Sequence, residues 1–314
     1  MIEEFSDVIV VASCNVDLIS YVEKLPKMGE TIMGKEFKIG FGGKGANKAI
    51  ACSRLGSKCS VIAKLGDDIF GKNYLDNFKE NKIDTSRIFI TNLAATGVAP
   101  ICVDRNGENS IIVILGANLL LSPEDIETCD ESIKNSKILV TNLEIPIKSA
   151  IKSLEIAKKY NVKTVLNFAP AVLDELDEKL FKYTDFLILN EVEVEQLSHV
   201  EIKKESDVQT AGLALLDKHD VKIGIIVTLG HKGVIFVDRI ERSSFHVPCN
   251  KVNVVDTSGA GDAFVGAFVH YLNRAGSVKE AIELASFYAS LTVQTHGTQS
   301  SYPSVQELDQ KFKI

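Results

Sequence analysis

Lys251 to Asn273 reads KVNVVDTSGAGDAFVGAFVHYLN, and the order of residue types along it sets the expectation for the whole chain. Val252 to Val255 is a short β-branched run, Asp256 to Gly261 is small and polar, and Ala263 to Leu272 is apolar over a length too great for one strand. The stretch predicts strand, glycine turn and buried helix. A helix starting there leaves its first amides without intrahelical partners, and Gly259, Ala260 and Gly261 keep bulky side chains away from them. Such a terminus can hold negative charge. Asp262 falls in the first turn, where an acid either complements the helix dipole or acts as a base beside a reacting group. The glycines directly before it favour the second role: amides for a transferring phosphoryl group, beside a carboxylate that takes a proton from an attacking hydroxyl.

Upstream, strands and helices alternate. The expected strands are Ile138 to Thr141, Thr164 to Asn167, Asp185 to Leu189 and Ile223 to Leu229. The expected helices are Lys148 to Tyr160, one near Glu175 to Phe181, Val192 to Ser198 and Val208 to His219, and Ser122-Pro123 opens another. This alternation implies a mostly parallel sheet with crossover helices, a three-layer α/β domain. No repeat, linker or low-complexity segment divides residues 1–314, so a single domain is expected. Polar groups follow the strand ends, where ligands sit in such sheets. Glu144 is a loop acid or an acceptor for a hydroxylated ligand, Asn190 and Glu193 have capping-box spacing, and Thr228 to Gly233 is a hairpin turn or a nucleotide wall.

Nearer the start, Val8 to Ser13 is a buried strand running into Asn15 and Asp17, which share a face in extended backbone and could grip neighbouring hydroxyls or form an Asx turn. Thr31 to Ile39 is an expected strand, followed by GFGGKG at Gly40 to Gly45 and a helix from Ala46 to Leu55. These glycines match G-x-G-x-x-G, but a strand and loop already precede them, so the context for a dinucleotide fingerprint is wrong. They let backbone approach a small ligand, with Lys44 and Asn47 as donors. A P-loop pattern is absent. Ser60 to Leu65 reads as a strand and Phe70 to Asn81 as a helix. Asn106-Gly107 marks a hairpin within Ala99 to Leu115; Ile111 to Leu115 is apolar on both faces and calls for cover on both, as core, as a flap, or against a second subunit.

With 314 residues and 45% apolar content the chain can bury a large core, and a net charge of -7 argues against nucleic acid or an anionic membrane as partner. No apolar run is long enough to span a membrane. Met1 to Asp7 lacks the basic start of a secretory signal, so a cytoplasmic protein is expected. The six cysteines form no C-x-x-C pair and are read as reduced thiols, and the dispersed histidines suggest no zinc site.

Together these pieces resemble the ribokinase-like (PfkB) family of carbohydrate and nucleoside kinases. The likeness runs through NVD at Asn15 to Asp17, GFGGKGAN at Gly40 to Asn47, TGVAPICVDRNGENSIIVILGAN at Thr96 to Asn118, NEVEVE at Asn190 to Glu195, TLGHKG at Thr228 to Gly233, DTSGAGDAF at Asp256 to Phe264 and GTQSSYP at Gly297 to Pro303. The resemblance implies a three-layer α/β/α domain with a small β-sheet lid formed by about residues 16–40 and 96–115, and a homodimer through that lid. It implies transfer of the ATP γ-phosphoryl group to O5 of D-ribose. Asn15, Asp17, Gly43, Lys44, Asn47 and Glu144 would hold the sugar, with Asp262 as base and Gly259, Ala260 and Gly261 as anion hole. Asn190, Glu193, Thr228, Gly230, Gly233 and Gly261 would line the nucleotide and magnesium side. Asp256, Ser258, Thr292, Thr295, Gly297 and Ser301 would surround potassium, mostly through carbonyls. Ser286 and Cys249 depart from the family's usual residues near the adenine. The alternatives are a kinase for fructose or adenosine, a nicotinamide-dependent oxidoreductase, and a non-catalytic sugar-binding protein.

Overall fold

The computed structural model describes residues 6–171, 173–174 and 176–312. In chain order the strands are β1 (Val8–Val11), β2 (Asn15–Tyr21), β3 (Glu36–Gly42), β4 (Cys59–Gly66), β5 (Asp84–Thr91), β6 (Gly97–Val103), β7 (Asn109–Ile111), β8 (Ile138–Thr141), β9 (Lys163–Asn167), β10 (Phe186–Asn190), β11 (Gly224–Thr228), β12 (Val234–Asp238) and β13 (Ser244–Val247). The helices are α1 (Lys44–Arg54), α2 (Ile69–Glu80), α3 (Pro123–Glu127), α4 (Asp130–Lys134), α5 (Ile147–Lys159), α6 (Lys179–Lys182), α7 (Glu191–Ser198), α8 (Glu205–Lys218), α9 (Ala260–Leu272), α10 (Val278–Thr292) and α11 (Val305–Phe312).

Nine strands form one sheet, ordered β13-β12-β11-β10-β9-β8-β1-β4-β5, and four form another, ordered β3-β2-β6-β7. The large sheet separates two cores because successive strand residues point to opposite faces. Val8 and Val10 of β1 pack with α1, α2, α9 and α10, while Ile9 and Val11 pack with α3, α5, α7 and α8. The sheet is parallel from β5 to β11, and β12 and β13 are antiparallel, since no crossover helix follows β11. Thr228 to Gly233 is the hairpin turn into β12. No helix of the described residues is long and apolar enough to cross a membrane.

Several expectations change. Val252 to Val255 is not a strand: Val254 and Val255 are 60% and 48% exposed, and the amides of Val255 and Asp256 donate to the Val293 carbonyl at 2.8 and 3.2 Å. The run has no neighbouring strand, so its β-branched residues find no ladder to join. Asn15 and Asp17 lie in β2 rather than in a loop beyond β1; β2 pairs antiparallel with β3 and parallel with β6. Of the strand expected at Thr31 to Ile39, Thr31 to Lys35 is not strand: β3 begins at Glu36 and runs on through Gly42. Gly40 and Gly42 are therefore strand residues paired antiparallel with β2, rather than the turn that closes the first parallel strand of a βαβ unit, which a dinucleotide fingerprint needs. The hairpin β6–β7 forms around Asn106-Gly107, but Ile111, Ile112, Val113 and Ile114 are 51%, 63%, 50% and 51% exposed in the single chain, so the run is not covered on both faces. The helix expected near Glu175 begins at Lys179, and Glu175 itself lies outside the described residues.

Candidate active site

α9 starts without a side-chain cap. A cap is worth about 1 kcal/mol, whereas burying Phe264, Val265, Phe268 and Val269 contributes about 1.5–3 kcal/mol each, so packing fixes this helix. Its entry depends on Gly259, whose φ is 73° and whose added Cβ would stand 2.4 Å from Thr298 Cγ2. Tyr302 donates its hydroxyl to the Gly259 carbonyl at 2.8 Å and fixes the turn from outside. The Ala260 amide bonds to Thr257 and that of Ala263 to Gly259. A helix start leaves the amides between them, of Gly261 and Asp262, without intrahelical acceptors.

α1 lies alongside α9, and the contact is close because Gly266 has no side chain: a Cβ there would stand 2.5 Å from the Lys48 carbonyl. Two consecutive α1 residues consequently reach Asp262. Asn47 Nδ2 donates to Asp262 Oδ2 at 2.9 Å, and Lys48 Nζ donates to Oδ1 at 2.5 Å. Gln299 Nε2 donates to Asn47 Oδ1 at 2.9 Å, which turns the Asn47 NH2 towards the carboxylate. Gln299 is held in turn by Asn77 at 2.9 Å and by Tyr74 at 3.1 Å.

On the other side of α1, Glu144 Oε2 accepts from Ser13 Oγ at 2.7 Å and from the Lys44 amide at 2.9 Å. Gly43, with φ 89°, forms the bend that ends the small sheet and starts α1. Asn15 Oδ1 accepts from Asn118 Nδ2 at 2.9 Å, leaving the Asn15 NH2 as a donor. Asp17 lies over Gly42, where an added Cβ would meet both carboxylate oxygens at 2.6 Å. Burial first, and the Glu144 charge second, push the Asp17 carboxyl up to about 6. Burial works to depress the Lys44 ammonium, but Asp262, Glu144 and Glu193 together raise it above its ordinary value. For Lys48 burial wins, and the ammonium sits below its ordinary value despite Asp262.

Asn190 and Glu193 form the capping box that their spacing allows: Glu193 N to Asn190 Oδ1 and Asn190 N to Glu193 Oε2, both at 2.8 Å. Glu193 also belongs to the charged cluster, since burial raises its carboxyl while Lys44 and Lys48 draw it down. Thr228 sits beside Asn190 in the β10–β11 register, with Gly230 and Gly233 in the turn beyond. Near the start of α9, Asp256 Oδ1 accepts from Ser258 N and Oδ2 from Gly297 N, both at 2.9 Å. Burial opposes it, yet these amides hold the Asp256 carboxyl below its ordinary value. Thr292 and Ser301 spend their hydroxyls on Ala289 and Thr298 carbonyls, at 2.9 and 2.8 Å, and Thr295 lines a cavity of about 250 Å³ with Ser301 and Tyr302. Ser286 is buried with its hydroxyl unpartnered, and Cys249 is half-buried.

The structure thus gathers Asn15, Asp17, Gly43, Lys44, Asn47, Glu144, Glu193 and Asp262 into one region between the small sheet and the start of α9, linked by hydrogen bonds and by the charges they exert on one another. Reasoning from sequence did not single out Ser13, Lys48, Asn118 or Gln299. Lys48 had a visible signal, a charge inside the otherwise small and apolar run ANKAIAC. Among the described residues, no group of three or more His, Cys, Asp or Glu side chains could hold a metal unaided.

A profile of pfkB family carbohydrate kinases matches residues 6–305. A deoxyribokinase of Salmonella typhi is 42% identical over 308 residues, covering 98% of this chain and 99% of the relative. A ribokinase of Mus musculus is 40% identical over 308 residues, with 98% and 94% covered. The structure of Arabidopsis thaliana ribokinase complexed with ribose and ATP superposes with a TM-score of 0.88 at 29% identity, covering 99% of each chain. The match spans both the large sheet and the residues of this region, and this chain belongs to the pfkB family of carbohydrate kinases.

Proposed function

We propose that this kinase moves the γ-phosphoryl group of ATP to the O5 hydroxyl of D-ribose, giving D-ribose 5-phosphate. The observation that carries the reading is Asp262 itself: a carboxylate in the first turn of α9, gripped on both oxygens from α1, beside amides that a helix start leaves open. Asp262 takes the proton of the attacking hydroxyl, and the Gly259–Gly261 turn presents the open amides at the start of α9 to the charge of the moving phosphoryl group. Asn15, Asp17, Gly43, Lys44, Asn47 and Glu144 hold the sugar. Phosphoryl transfer asks a protein mainly for positioning and charge stabilisation, which this set can supply.

Asn190, Glu193, Thr228, Gly230 and Gly233 line the nucleotide side in this reading. Magnesium fits there as an ion held chiefly by phosphates, since one oxygen of Glu193 remains outside the capping box and no all-protein cage exists among the described residues. When bound, it neutralises phosphate charge. Potassium fits the segments that bring together Asp256, Ser258, Thr292, Thr295, Gly297 and Ser301 through carbonyls, because the side chains of Asp256, Thr292 and Ser301 are already engaged. Asp256 tethers Gly297 to the segment before α9, so an ion there steadies the amides without touching the sugar. The exposed apolar run Ile111 to Ile114 supports a homodimer formed through the small sheet as lid, and a cytoplasmic protein fits this reading.

Similarity to a deoxyribokinase favours one second reading, 2-deoxyribose as substrate. One hydroxyl separates the two sugars, and a site built to bond a hydroxyl rejects the analogue lacking it by up to about 10⁴-fold. ADP release from magnesium-ATP is therefore measured with D-ribose, 2-deoxyribose, fructose and adenosine, in potassium and in a bulky organic cation. Turnover with ribose that collapses without potassium supports both assignments. Preference for 2-deoxyribose replaces the substrate, and indifference to the salt removes the ion site.

A further inference from the structure

Lys48 is buried with 1% of its side chain exposed, and its Nζ bonds Asp262 Oδ1 at 2.5 Å and the Lys44 carbonyl at 3.0 Å. Asp262 is 12% exposed, so the carboxylate and not the ammonium reaches the surface. We propose that Lys48 is a positioning residue for this kinase: its bond to Oδ1 holds the Asp262 carboxylate aimed before the sugar arrives. The inference rests on the reading of Asp262 as the base.

Stability does not explain a lysine here. A buried ion pair is commonly no more stable than an apolar pair of similar volume, because desolvation offsets the attraction. The charges around the pair give a better reason. Lys44 from α1, Glu144 from the loop after β8, and Glu193 from α7 all act on Lys48, Asp262 or each other, and Tyr302 feels the Asp262 charge. With Asp17, which lies within reach of the Glu144 charge, four carboxylates thus stand around two ammonium groups. Without Lys48, four would share Lys44 alone, and like charges crowded in one place favour protonation of one of them. A protonated Asp262 cannot take a proton from the sugar. Asn47 would still hold Oδ2, but with a neutral donor that does not oppose protonation by charge. Lys48 also fixes Oδ1, so the two α1 contacts set the plane of the carboxylate.

The test compares the wild type with Lys48→Met, Lys48→Gln and Lys48→Arg, measuring kcat and KM from about pH 5 to 9 with whichever sugar the wild type turns over. Failure of the wild type with ribose would correct the substrate; the Lys48 comparison would proceed on the sugar that works. For Lys48→Met the expectation is a kcat lower by about tenfold or more, a sugar KM within about threefold, and an acid limb of the kcat profile moved up by about one pH unit or more. Lys48→Arg keeps the acid limb near its wild-type position. A Lys48→Met enzyme with the wild-type acid limb and kcat would overturn the proposal. Thermal unfolding accompanies the kinetics, and if Lys48→Met does not fold, Lys48→Gln, which keeps a hydrogen bond without the charge, decides by the same criteria.

Discussion

At the scale of single residues, Asp262 and Asp17 make opposite predictions. Asp262→Asn should lower kcat by at least about 100-fold while sugar affinity, measured calorimetrically, changes little. The same substitution strips Lys48 of its counter-ion, and breaking a buried pair costs about 3–5 kcal/mol, so the melting temperature should fall as well. Near-wild-type turnover would remove Asp262 from the chemistry. Asp17 has a folded-state value of about 6 against 3.8 for the free group, so its contribution to stability is complete below about pH 4 and disappears as the pH rises through 6. Asp17→Asn should therefore melt above the wild type beyond pH 6, with the gap closing towards pH 4, and should lose the rise in sugar affinity expected as the carboxylate ionises. Equal melting curves at every pH would contradict the buried, charge-crowded position of Asp17. The sequence made Asp262, Asp17, Lys44 and Asn47 legible because each stands in a glycine-marked or strand-end motif. Lys48 was not, since its partner lies 214 residues away and only the packing of α9 on α1 joins them.

Among the elements, the turn into α9 carries the sharpest expectation. Gly259→Ala forces a left-handed residue to carry a side chain, at about 1–2 kcal/mol, and drives that side chain into Thr298. A displaced turn misaims the amides, so kcat should fall at least about tenfold with folding retained, as circular dichroism and ADP release would report together. An enzyme that tolerates alanine here would show that the turn does not aim those amides. The long helices α5, α8 and α9 and the apolar strands β8 to β11 were readable from pattern alone, because their burial follows their apolar residues, whereas α10 was not singled out. Val252 to Val255 misled because β-branched composition describes what a strand tolerates, not whether a neighbour is present. Asn15 and Asp17 misled in the other direction: only three residues separate β1 from β2, too few to show as a loop between two strands.

For the molecule as a whole, the two-sheet plan predicts a link between assembly and the small sheet. Ile112→Glu, placed in the half-exposed apolar run, should shift sedimentation from dimer to monomer while leaving the melting temperature of the chain nearly unchanged. A wild type that sediments as a monomer at all concentrations would end that reading. The three-layer class was legible from alternation, whereas the antiparallel edge β12–β13 turned on a missing crossover that composition does not mark. The packing of α9 on α1 also orders events during synthesis. Lys48 leaves the ribosome more than 200 residues ahead of Asp262, and Gln299, which orients Asn47, follows later still. Until α9 emerges, Lys48 lacks the Asp262 oxygen that receives its ammonium, so α1 reaches its final burial only after α9 is available to pack on it, and a chain stopped before that point carries an open, charged seam where α9 belongs.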